Sequence, residues 1–277
     1  MKITDGDILL YIGKLKKEEK SRNTTEKYLR DIKRFTEYVK GEEITKETVL
    51  AYKEHLQRKY KPRSVNSMLA GINGIFEFMC RYDLRVKAIK LQAQIYCPEE
   101  KELTRGEYER LVRTAKEKGR HRLSLIIQTI CSTGIRVSEL NYITAEAVRR
   151  GEATVSLKGK TRTVFIPRAL REKLLLYAKE QNISSGNIFV TRSGKAVCRT
   201  NIWKEMKKLC RESGVKESKV FPHNLRHLFA RVYYKIEKDI AKLADILGHS
   251  SINTTRIYII STGAEHRKDM ERMRLII

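Results

Sequence analysis

Acidic side chains are scarce in this chain relative to basic ones. The 277 residues hold 33 Asp and Glu against 58 Lys and Arg, which gives a net charge of +25 and a pI near 9.9. The excess positive charge is spread along the chain rather than confined to a tail. This distribution fits a folded protein that binds a polyanion, because each neutralised phosphate releases condensed counterions. A basic protein without an anionic partner is the plainer alternative.

Cysteine is sparse, and long apolar runs are missing. The five cysteines are odd in number and form no Cys-x-x-Cys pair or Cys/His cluster, so the sequence indicates neither a disulfide framework nor a zinc site. The N-terminus has no apolar signal region, and no run approaches the roughly 18 apolar residues of a membrane helix. We therefore expect a cytoplasmic protein with no membrane contact.

Apolar residues recur at helical spacing through the N-terminal part of the chain. Helices are predicted from Asn23 or Thr24, from near Thr45 and from after Ser64. The apolar positions that define them are Tyr28, Ile32, Phe35 and Val39, then Val49, Tyr52 and Leu56, then Val65, Met68, Leu69, Ile72, Ile75, Phe76 and Met79. The pattern predicts a small helical bundle with a basic surface, which is either merely solvated or a DNA-binding face.

The helical periodicity lapses between Arg85 and Lys101, where Pro98 stands among charged residues. We place a linker at residues 89–101, between a first domain at 1–88 and a second at 102–277. The second domain opens on Thr104 and Glu107, whose spacing is that of a capping box.

The second domain is predicted to be mainly helical with a small antiparallel sheet. A buried helix is predicted from Leu123 to Ser132. Alternating apolar residues then flank the basic segment Lys158–Arg162, which predicts two short strands joined by a turn. Helices are expected to dominate from Ala169 onward, interrupted by a strand at Ile188–Val190. The predicted fold class is thus mainly α, with one small sheet.

Two segments of this domain carry cations suited to phosphate chemistry. Gly134 permits a tight turn, after which Arg136 would start the next helix and present a fork of donors to phosphate oxygens. Lys160 or Lys158, on the hairpin turn, could protonate a leaving oxygen. Taken singly, each is more often an ordinary surface charge.

A third segment places two further polar groups on one helix face. Pro222 suits a first helical position, and His223 and Arg226 follow three residues apart, so both could reach one phosphate. His223 and His227, four apart, could instead hold a metal ion. The metal interpretation lacks a glutamate base and a third ligand nearby.

The fourth segment holds His249 and Tyr258. Gly248 is expected to end one helix and Thr254 or Thr255 to lie in the next, so that a loop and about one turn separate the two side chains. Most of the 13 tyrosines are expected to pack in the core, and only the company of the other segments singles out Tyr258.

Together the four segments resemble the signature of the tyrosine recombinase family, which includes the phage integrases and Xer proteins. The resemblance rests on Thr-Gly-x-Arg-x-Ser-Glu-Leu at Arg136, a hairpin lysine, His-x-x-Arg at His223 and Arg226, and Leu-Gly-His at His249 followed by Tyr258. It implies a helical core-binding domain at 1–88 and a catalytic domain at 102–277. The hairpin is shortened to Lys-Gly-Lys-Thr-Arg, where Gly159-Lys160 matches the family's Gly-Lys pair, and Lys158 remains the alternative.

The resemblance implies a site-specific recombinase that cleaves and rejoins DNA through a covalent 3′-phosphotyrosyl intermediate. Tyr258 would be the nucleophile and Lys160 the acid, while His223 would act as acid/base or phosphate ligand. Arg136, Arg226 and His249 would hold the nonbridging oxygens. It also implies exchange of a C-terminal tail helix, near Glu265–Arg274 with its apolar end, between the protomers of a tetramer. The two domains could close around duplex DNA. Because fixed cations can replace a metal ion and the sequence has no carboxylate cluster or Gly-rich phosphate loop, we expect no metal or nucleotide cofactor.

Two other interpretations of the sequence remain open. A type IB topoisomerase would use the same chemistry to relax supercoils as a monomer. A non-catalytic regulator would use Ile240–Tyr258 as a helix-turn-helix. Under the second interpretation the remaining catalytic-type residues would be coincidental.

Overall fold

The computed structural model describes residues 1–91, 99–157, 159–259 and 263–273. The chain divides into two compact units, Met1–Ala93 and Gln94–Ile277. Helices predominate in both, and the only sheet among the described residues is a pair of antiparallel strands. The mainly helical fold class expected from the sequence is confirmed. Of the described helices, none has the length and apolar character needed to cross a membrane.

The N-terminal unit contains four α-helices in its described part. Thr4, Ser21 and Thr45 each accept a hydrogen bond from the backbone N–H three residues on, and Pro62 opens the fourth helix. The three predicted helices are confirmed, although the last begins at Pro62 rather than after Ser64, because proline fits the first helical turn. The helices are α1 Asp5–Lys17, α2 Arg22–Val39, α3 Lys46–Lys59 and α4 Pro62–Phe78.

Aromatic residues close the core of this unit. The ring of Phe35 on α2 meets Tyr52 of α3 at 5.0 Å and Phe76 of α4 at 5.9 Å, both edge to face. All three side chains are buried. The apolar faces predicted from helical spacing therefore point at one another.

The C-terminal unit is built around one buried helix, α6. The helices are α5 Arg105–Glu117, α6 His121–Thr133, α7 Ala145–Arg150, α8 Arg168–Glu180, α9 Arg199–Ser213, α10 Pro222–Glu237, α11 Ile240–Leu247, α12 Ile252–Ile259 and α13 Gly263–Arg272. Helix α6 packs against the preceding helix, α5, and against three helices from later in the chain, α8, α9 and α10. Short 3-10 helices lie at Tyr82–Leu84 in the first unit and at Glu99–Lys101, Val137–Tyr142 and Glu217–Lys219 in the second.

The predicted hairpin is present as β1 Glu152–Leu157 and β2 Lys160–Phe165. The strands pair antiparallel, from Glu152 opposite Phe165 to Leu157 opposite Lys160. Gly159, in the turn, has a φ of +72°, which favours glycine. Lys158 lies outside the described residues.

The predicted strand at Ile188–Val190 is wrong. This segment forms only isolated bridges, Thr144 with Asn187 and Val190 with Ala196. The chain turns back directly afterwards, where the Gly194 N–H donates to the Thr191 carbonyl at 3.0 Å. The apolar run reflects the burial of Ile188 and Phe189 in the core rather than a ladder of strand pairs.

The C-terminal end of the chain is a succession of three helices, α11, α12 and α13. Gly248 ends α11 with a φ of +63°, as its sequence position predicted. The predicted tail helix is present as α13, within slightly different bounds. Its expected apolar end, Leu275–Ile277, falls among residues that are not described.

Candidate active site

A left-handed turn at Gly134 carries the chain from α6 to Arg136. Gly134 has a φ of +65°, and a Cβ added there would lie 2.6 Å from the Phe229 ring, so the position excludes any side chain. Arg136 caps the 3-10 helix Val137–Tyr142, and its backbone N–H donates to Glu139 Oε2 at 2.9 Å. The predicted turn and the helix-starting position of Arg136 are confirmed, with a 3-10 helix in place of an α-helix.

Three arginines converge on the C-terminal end of α11. Each donates to the carbonyl of a different residue, and the three residues are consecutive. A helix leaves its last carbonyls without intrahelical partners, and its dipole concentrates partial negative charge there. The helix end therefore holds three guanidinium groups side by side. The bonds run from Arg162 Nη1 to Ile246 O at 3.0 Å, from Arg226 Nη2 to Leu247 O at 2.6 Å, and from Arg136 Nη2 to Gly248 O at 3.2 Å.

Glu139 is the anion within this arginine group. Its Oε1 lies 2.7 Å from Arg136 Nη1 and its Oε2 lies 2.6 Å from Arg162 Nη2, while its side chain is only 1% exposed. Burial by itself raises the pKa of Glu139. The hydrogen bonds from the Arg136 backbone and side chain, with the charges of Arg162 and Arg136, outweigh burial and lower the pKa. One carboxylate thus stabilises two of the three arginines.

Arg226 is held in place by several polar contacts. It is 1% exposed, and besides Leu247 it donates to the Gly134 carbonyl and lies 3.0 Å from His249 Nε2. Burial, followed by the charge of Arg136, lowers the pKa of Arg226 to about 10. The guanidinium therefore stays charged at neutral pH and has little freedom to rotate.

The imidazole of His249 is held at both ring nitrogens. Its Nε2 faces Arg226 Nη2 at 3.0 Å and its Nδ1 faces Thr255 Oγ1 at 2.9 Å. Because a guanidinium can only donate, Nε2 is the acceptor and Nδ1 carries the proton. Burial, followed by the charges of Arg226 and the other arginines, lowers the pKa of His249 to about 4. The ring is neutral at pH 7.

Tyr258, on α12, is surrounded by three histidines. Its hydroxyl lies 3.4 Å from His223 Nδ1, and its ring stacks on His227 with centroids 4.1 Å apart. The ring of His249 is 5.0 Å away, so the structure brings together the pair expected from the sequence. The prediction placed about one helical turn before Tyr258, whereas almost two turns of α12 precede it in the structure.

His223 lines a cleft beside this cluster. The cleft has a volume of about 340 Å³, and no carboxylate occurs among the described residues that line it. Protein atoms packed around the His223 ring, followed by the charges of Arg226 and Arg136, lower the pKa of His223 even though the residue keeps solvent contact. The lining residues with polar or aromatic side chains are Arg136, Ser138, Arg199, Trp203, Phe221, His223 and Arg226.

The structure thus brings together five of the six residues singled out in the sequence. These are Arg136, His223, Arg226, His249 and Tyr258. For the sixth, Lys160, only the backbone position at the start of β2 is described. The choice between Lys160 and Lys158 stays a prediction.

Sequence reasoning missed two residues of this cluster, Arg162 and His227. Arg162 precedes the buried Val164 by two residues, so strand alternation places it on the buried face of β2. An arginine on the apolar face of a predicted strand could have indicated a buried, functional side chain. His227 lies one helical turn after His223 and had been considered only as a metal ligand. Among the described residues, no group of three or more His, Cys, Asp or Glu could hold a metal ion.

We expect the C-terminal unit to lose stability as the pH falls from about 6.5 towards 4. Burial, followed by the proximity of His223, lowers the pKa of His227 to about 4, whereas an unfolded histidine titrates near 6.5. Between these values the unfolded chain binds a proton that the folded chain does not, so stability present above pH 6.5 is progressively lost. Allowing for partial solvent contact, His227 should contribute roughly 2 kcal/mol.

Denaturant titrations at pH 7 and pH 5 measure this effect through Trp203, the single tryptophan of the chain. His227→Phe keeps a ring against Tyr258 but cannot titrate, so the difference in unfolding free energy between the two pH values should shrink. The same substitution at the exposed His121 should leave that difference unchanged. An undiminished pH dependence in His227→Phe would contradict the assignment.

A cationic cleft beside neutral histidines and a buried tyrosine, on a mainly helical unit with a hairpin, fits an enzyme that acts on phosphodiesters. The phage integrase family model matches residues 101–265, and the model of the phage integrase N-terminal SAM-like domain matches residues 8–83. The chain belongs to the phage integrase family. It is a tyrosine recombinase, a class of enzyme that cleaves and rejoins DNA.

Individual relatives agree with this assignment. The chain is 30% identical over 272 residues to the tyrosine recombinase XerA of Pyrococcus furiosus, covering 95% of this chain and 92% of the relative. The fold is similar to XerH recombinase bound to its difH substrate, with a TM-score of 0.69, 18% identity, and coverage of 97% and 89%. It is also similar to a lambda integrase tetramer bound to a Holliday junction, with a TM-score of 0.74, 18% identity, and coverage of 91% and 76%. These relatives do not favour the topoisomerase or the non-catalytic regulator interpretation.

Proposed function

We propose that this chain is a site-specific DNA recombinase in which Tyr258 forms a covalent 3′-phosphotyrosyl intermediate. The observation that carries the proposal is the position of the Tyr258 hydroxyl, 3.4 Å from His223 at a cleft that is also lined by Arg136 and Arg226. The phenol, a proton acceptor and two guanidinium groups are thereby gathered at one place. Covalent catalysis conserves the energy of the broken phosphodiester for rejoining to another strand.

His223 accepts the proton of the nucleophile in this scheme. A phenol has an ordinary pKa near 10 and needs help to ionise at neutral pH. The lowered pKa of His223 keeps its imidazole neutral, so Nδ1 can take the phenolic proton. As the Tyr258 oxygen bonds to phosphorus, the bond from phosphorus to the 5′ oxygen breaks.

The arginines and His249 stabilise the charge that develops on the nonbridging oxygens. Arg136 and Arg226 are both fixed on the end of α11, so their donors are already arranged before the phosphate binds. His249 accepts from Arg226 in the DNA-free chain. We propose that a bound phosphate replaces this contact and favours a proton on Nε2, which then donates to the oxygen next to Arg226.

Lys160 is the proposed acid for the departing 5′ oxygen. It begins β2, directly after the glycine turn of the hairpin, and a lysine ammonium has a proton to give. Since guanidinium and ammonium groups supply the positive charge at the phosphate, we propose that cleavage needs no metal ion and no nucleotide. We also propose that the enzyme acts in the cytoplasm.

The partner proposed from charge and from the relatives is duplex DNA carrying specific recombination sites. The net charge of +25 favours a polyanion, and most of it would contact DNA away from the cleaved bond. We propose domain bounds of 1–88 for DNA core binding and 102–277 for catalysis. A substrate whose cleaved 5′ end diffuses away should leave protein attached to the 3′ end, and attachment through a residue other than Tyr258 would overturn the proposal.

We also propose tetramers on paired sites, held together by exchange of the C-terminal tail. Met270 and Met273, on or just after α13, are 61% and 60% exposed, which leaves apolar surface for a neighbouring protomer. Deleting residues 264–277 should abolish strand exchange between two duplexes and the tetramer on DNA, while binding to one site persists. Native gels and an exchange assay measure the two effects. Unchanged strand exchange in the deletion would refute the role of the tail.

A further inference from the structure

Arg162 ties the hairpin to the phosphate-binding side of the cleft. It lies in β2, two residues after Lys160 and opposite Val155 of β1. Its side chain is 13% exposed, and its guanidinium donates to Glu139 Oε2 at 2.6 Å and to the Ile246 carbonyl at 3.0 Å. The strand that begins at Lys160 is therefore attached both to the Arg136 turn and to the end of α11.

The carboxylate that receives Arg162 is shared with the phosphate-binding arginine. Glu139 Oε1 lies 2.7 Å from Arg136 Nη1, while Oε2 accepts from both Arg162 Nη2 and the Arg136 backbone N–H. Because the Glu139 side chain is 1% exposed, water offers no substitute partner. Glu139 therefore links β2 to the Arg136 turn, and its two contacts with Arg136 do not pass through Arg162.

The stem of Arg162 also fills the space beside Gly248. A Cβ on Gly248 would lie 2.5 Å from Arg162 Cδ and 2.7 Å from its Nε. Gly248 leads directly into His249, so the packed stem holds β2 against the turn between α11 and α12. Hydrogen bonds, an ion pair and close packing converge on one side chain.

A purely stabilising role would also place a buried arginine on a buried glutamate. Breaking a buried ion pair is destabilising in either case, so loss of stability does not separate the two roles. The location does argue for more than stability. Arg162 joins the strand of the proposed acid to the residues proposed to hold the nonbridging oxygens, and these groups act on different oxygens of one phosphate.

We propose that Arg162 is a positioning residue that holds the hairpin lysine at the leaving oxygen of the scissile phosphate. The inference rests on the proposed function, in which Lys160 protonates that oxygen. It predicts that Arg162 matters for departure of the 5′ oxygen and much less for attack by Tyr258 or for binding of the phosphate. A substrate whose leaving group needs no protonation therefore tests whether Arg162 acts through the acid.

The test replaces the bridging 5′ oxygen of the scissile phosphate with sulfur. A thiol has a pKa near 8.5, far below that of an alcohol, so a thiolate leaves without being protonated. Arg162→Met should slow cleavage of the ordinary site about tenfold to a hundredfold, which is at most the lower end of the cost of losing a general acid, because the lysine is displaced and not removed. On the sulfur substrate the same variant should cleave within about threefold of wild type, because no acid is needed.

Two further variants control for misfolding and for nonspecific effects of removing an arginine. Arg162→Lys keeps the charge and can reach one partner, so it should show a smaller loss on the ordinary site, again restored by sulfur. It serves as the readout if Arg162→Met does not fold. Arg168→Met is the matched control, since Arg168 is 92% exposed and pairs only within its own helix, and it should behave as wild type on both substrates.

The outcomes separate this inference from the function on which it rests. Equal losses on the oxygen and sulfur substrates, or no loss on either, would overturn the positioning role of Arg162. Lys160→Ala is assayed in parallel and should be restored by sulfur. If it is not, the acid role of Lys160 fails. The Arg162 result is then compared with that of Lys158→Ala. If sulfur restores Lys158→Ala, the acid is Lys158 and Arg162 is the residue that positions it.

Discussion

Tyr258→Phe is expected to abolish the covalent protein–DNA adduct and to leave DNA binding almost unchanged. The substitution removes only the hydroxyl, so the ring keeps its stack on His227 and its contact with His249. Loss of a catalytic nucleophile lowers turnover by orders of magnitude, and here by on the order of 10⁵-fold, to below detection. Binding depends on charges spread over the chain and should stay within about twofold.

The measurement is a suicide substrate carrying the recombination site of the native host, incubated in chelator and resolved on a denaturing gel. Tyr234→Phe is the matched control, because Tyr234 also packs in the small cluster that contains Tyr258. It should keep full adduct formation. Adduct that persists in Tyr258→Phe would move the nucleophile elsewhere, with Tyr233 or Tyr234 next in line, and a strict need for magnesium would contradict the metal-free scheme.

Arg226→Lys is expected to lose both activity and stability, whereas Arg136→Lys is expected to lose activity with a much smaller loss of stability. Each substitution keeps the charge but removes the guanidinium fork, and loss of oriented donors at a developing anion costs about 10²- to 10³-fold in rate. Arg226 also satisfies the carbonyls of Gly134 and Leu247 inside the protein. An ammonium cannot reach both, so the free energy of unfolding should fall by roughly 3 kcal/mol.

Arg136 differs from Arg226 because its side chain is more exposed and because its partner Glu139 has a second arginine. The Arg136 side chain is 34% exposed, and Glu139 retains its ion pair with Arg162 when Arg136 changes. The stability loss in Arg136→Lys should therefore stay near 1 kcal/mol or below. Single-turnover cleavage and denaturant titration measure the two quantities. Equal destabilisation by both variants would contradict the distinct anchoring of Arg226.

Local sequence signals predicted most of the fold. Capping residues such as Thr104 and helix breakers such as Gly248 act within a few residues of themselves, so the patterns locate helix ends directly. The Ile188–Val190 segment was mispredicted because an apolar run reports burial and not backbone pairing. Whether such a run forms a ladder depends on partners that are distant in sequence.

Site residues that belong to short sequence motifs were predictable. Contacts between residues from distant parts of the chain were not. The spacing of His223 and Arg226 on one helix face is a local property. The sharing of Glu139 by Arg136 and Arg162 is not, since the two arginines come from different elements. The stacking of His227 on Tyr258 likewise requires α10 and α12 to pack together.

The three carbonyl acceptors at the end of α11 belong to the main chain, and this affects how the family can vary. Exchanging one apolar side chain for another at Ile246 or Leu247 removes no acceptor, so sequence drift there leaves the three guanidinium groups in place. Inserting or deleting one residue in this segment would instead shift every acceptor by one position. We expect the end of α11 to tolerate altered side chains and to reject altered length.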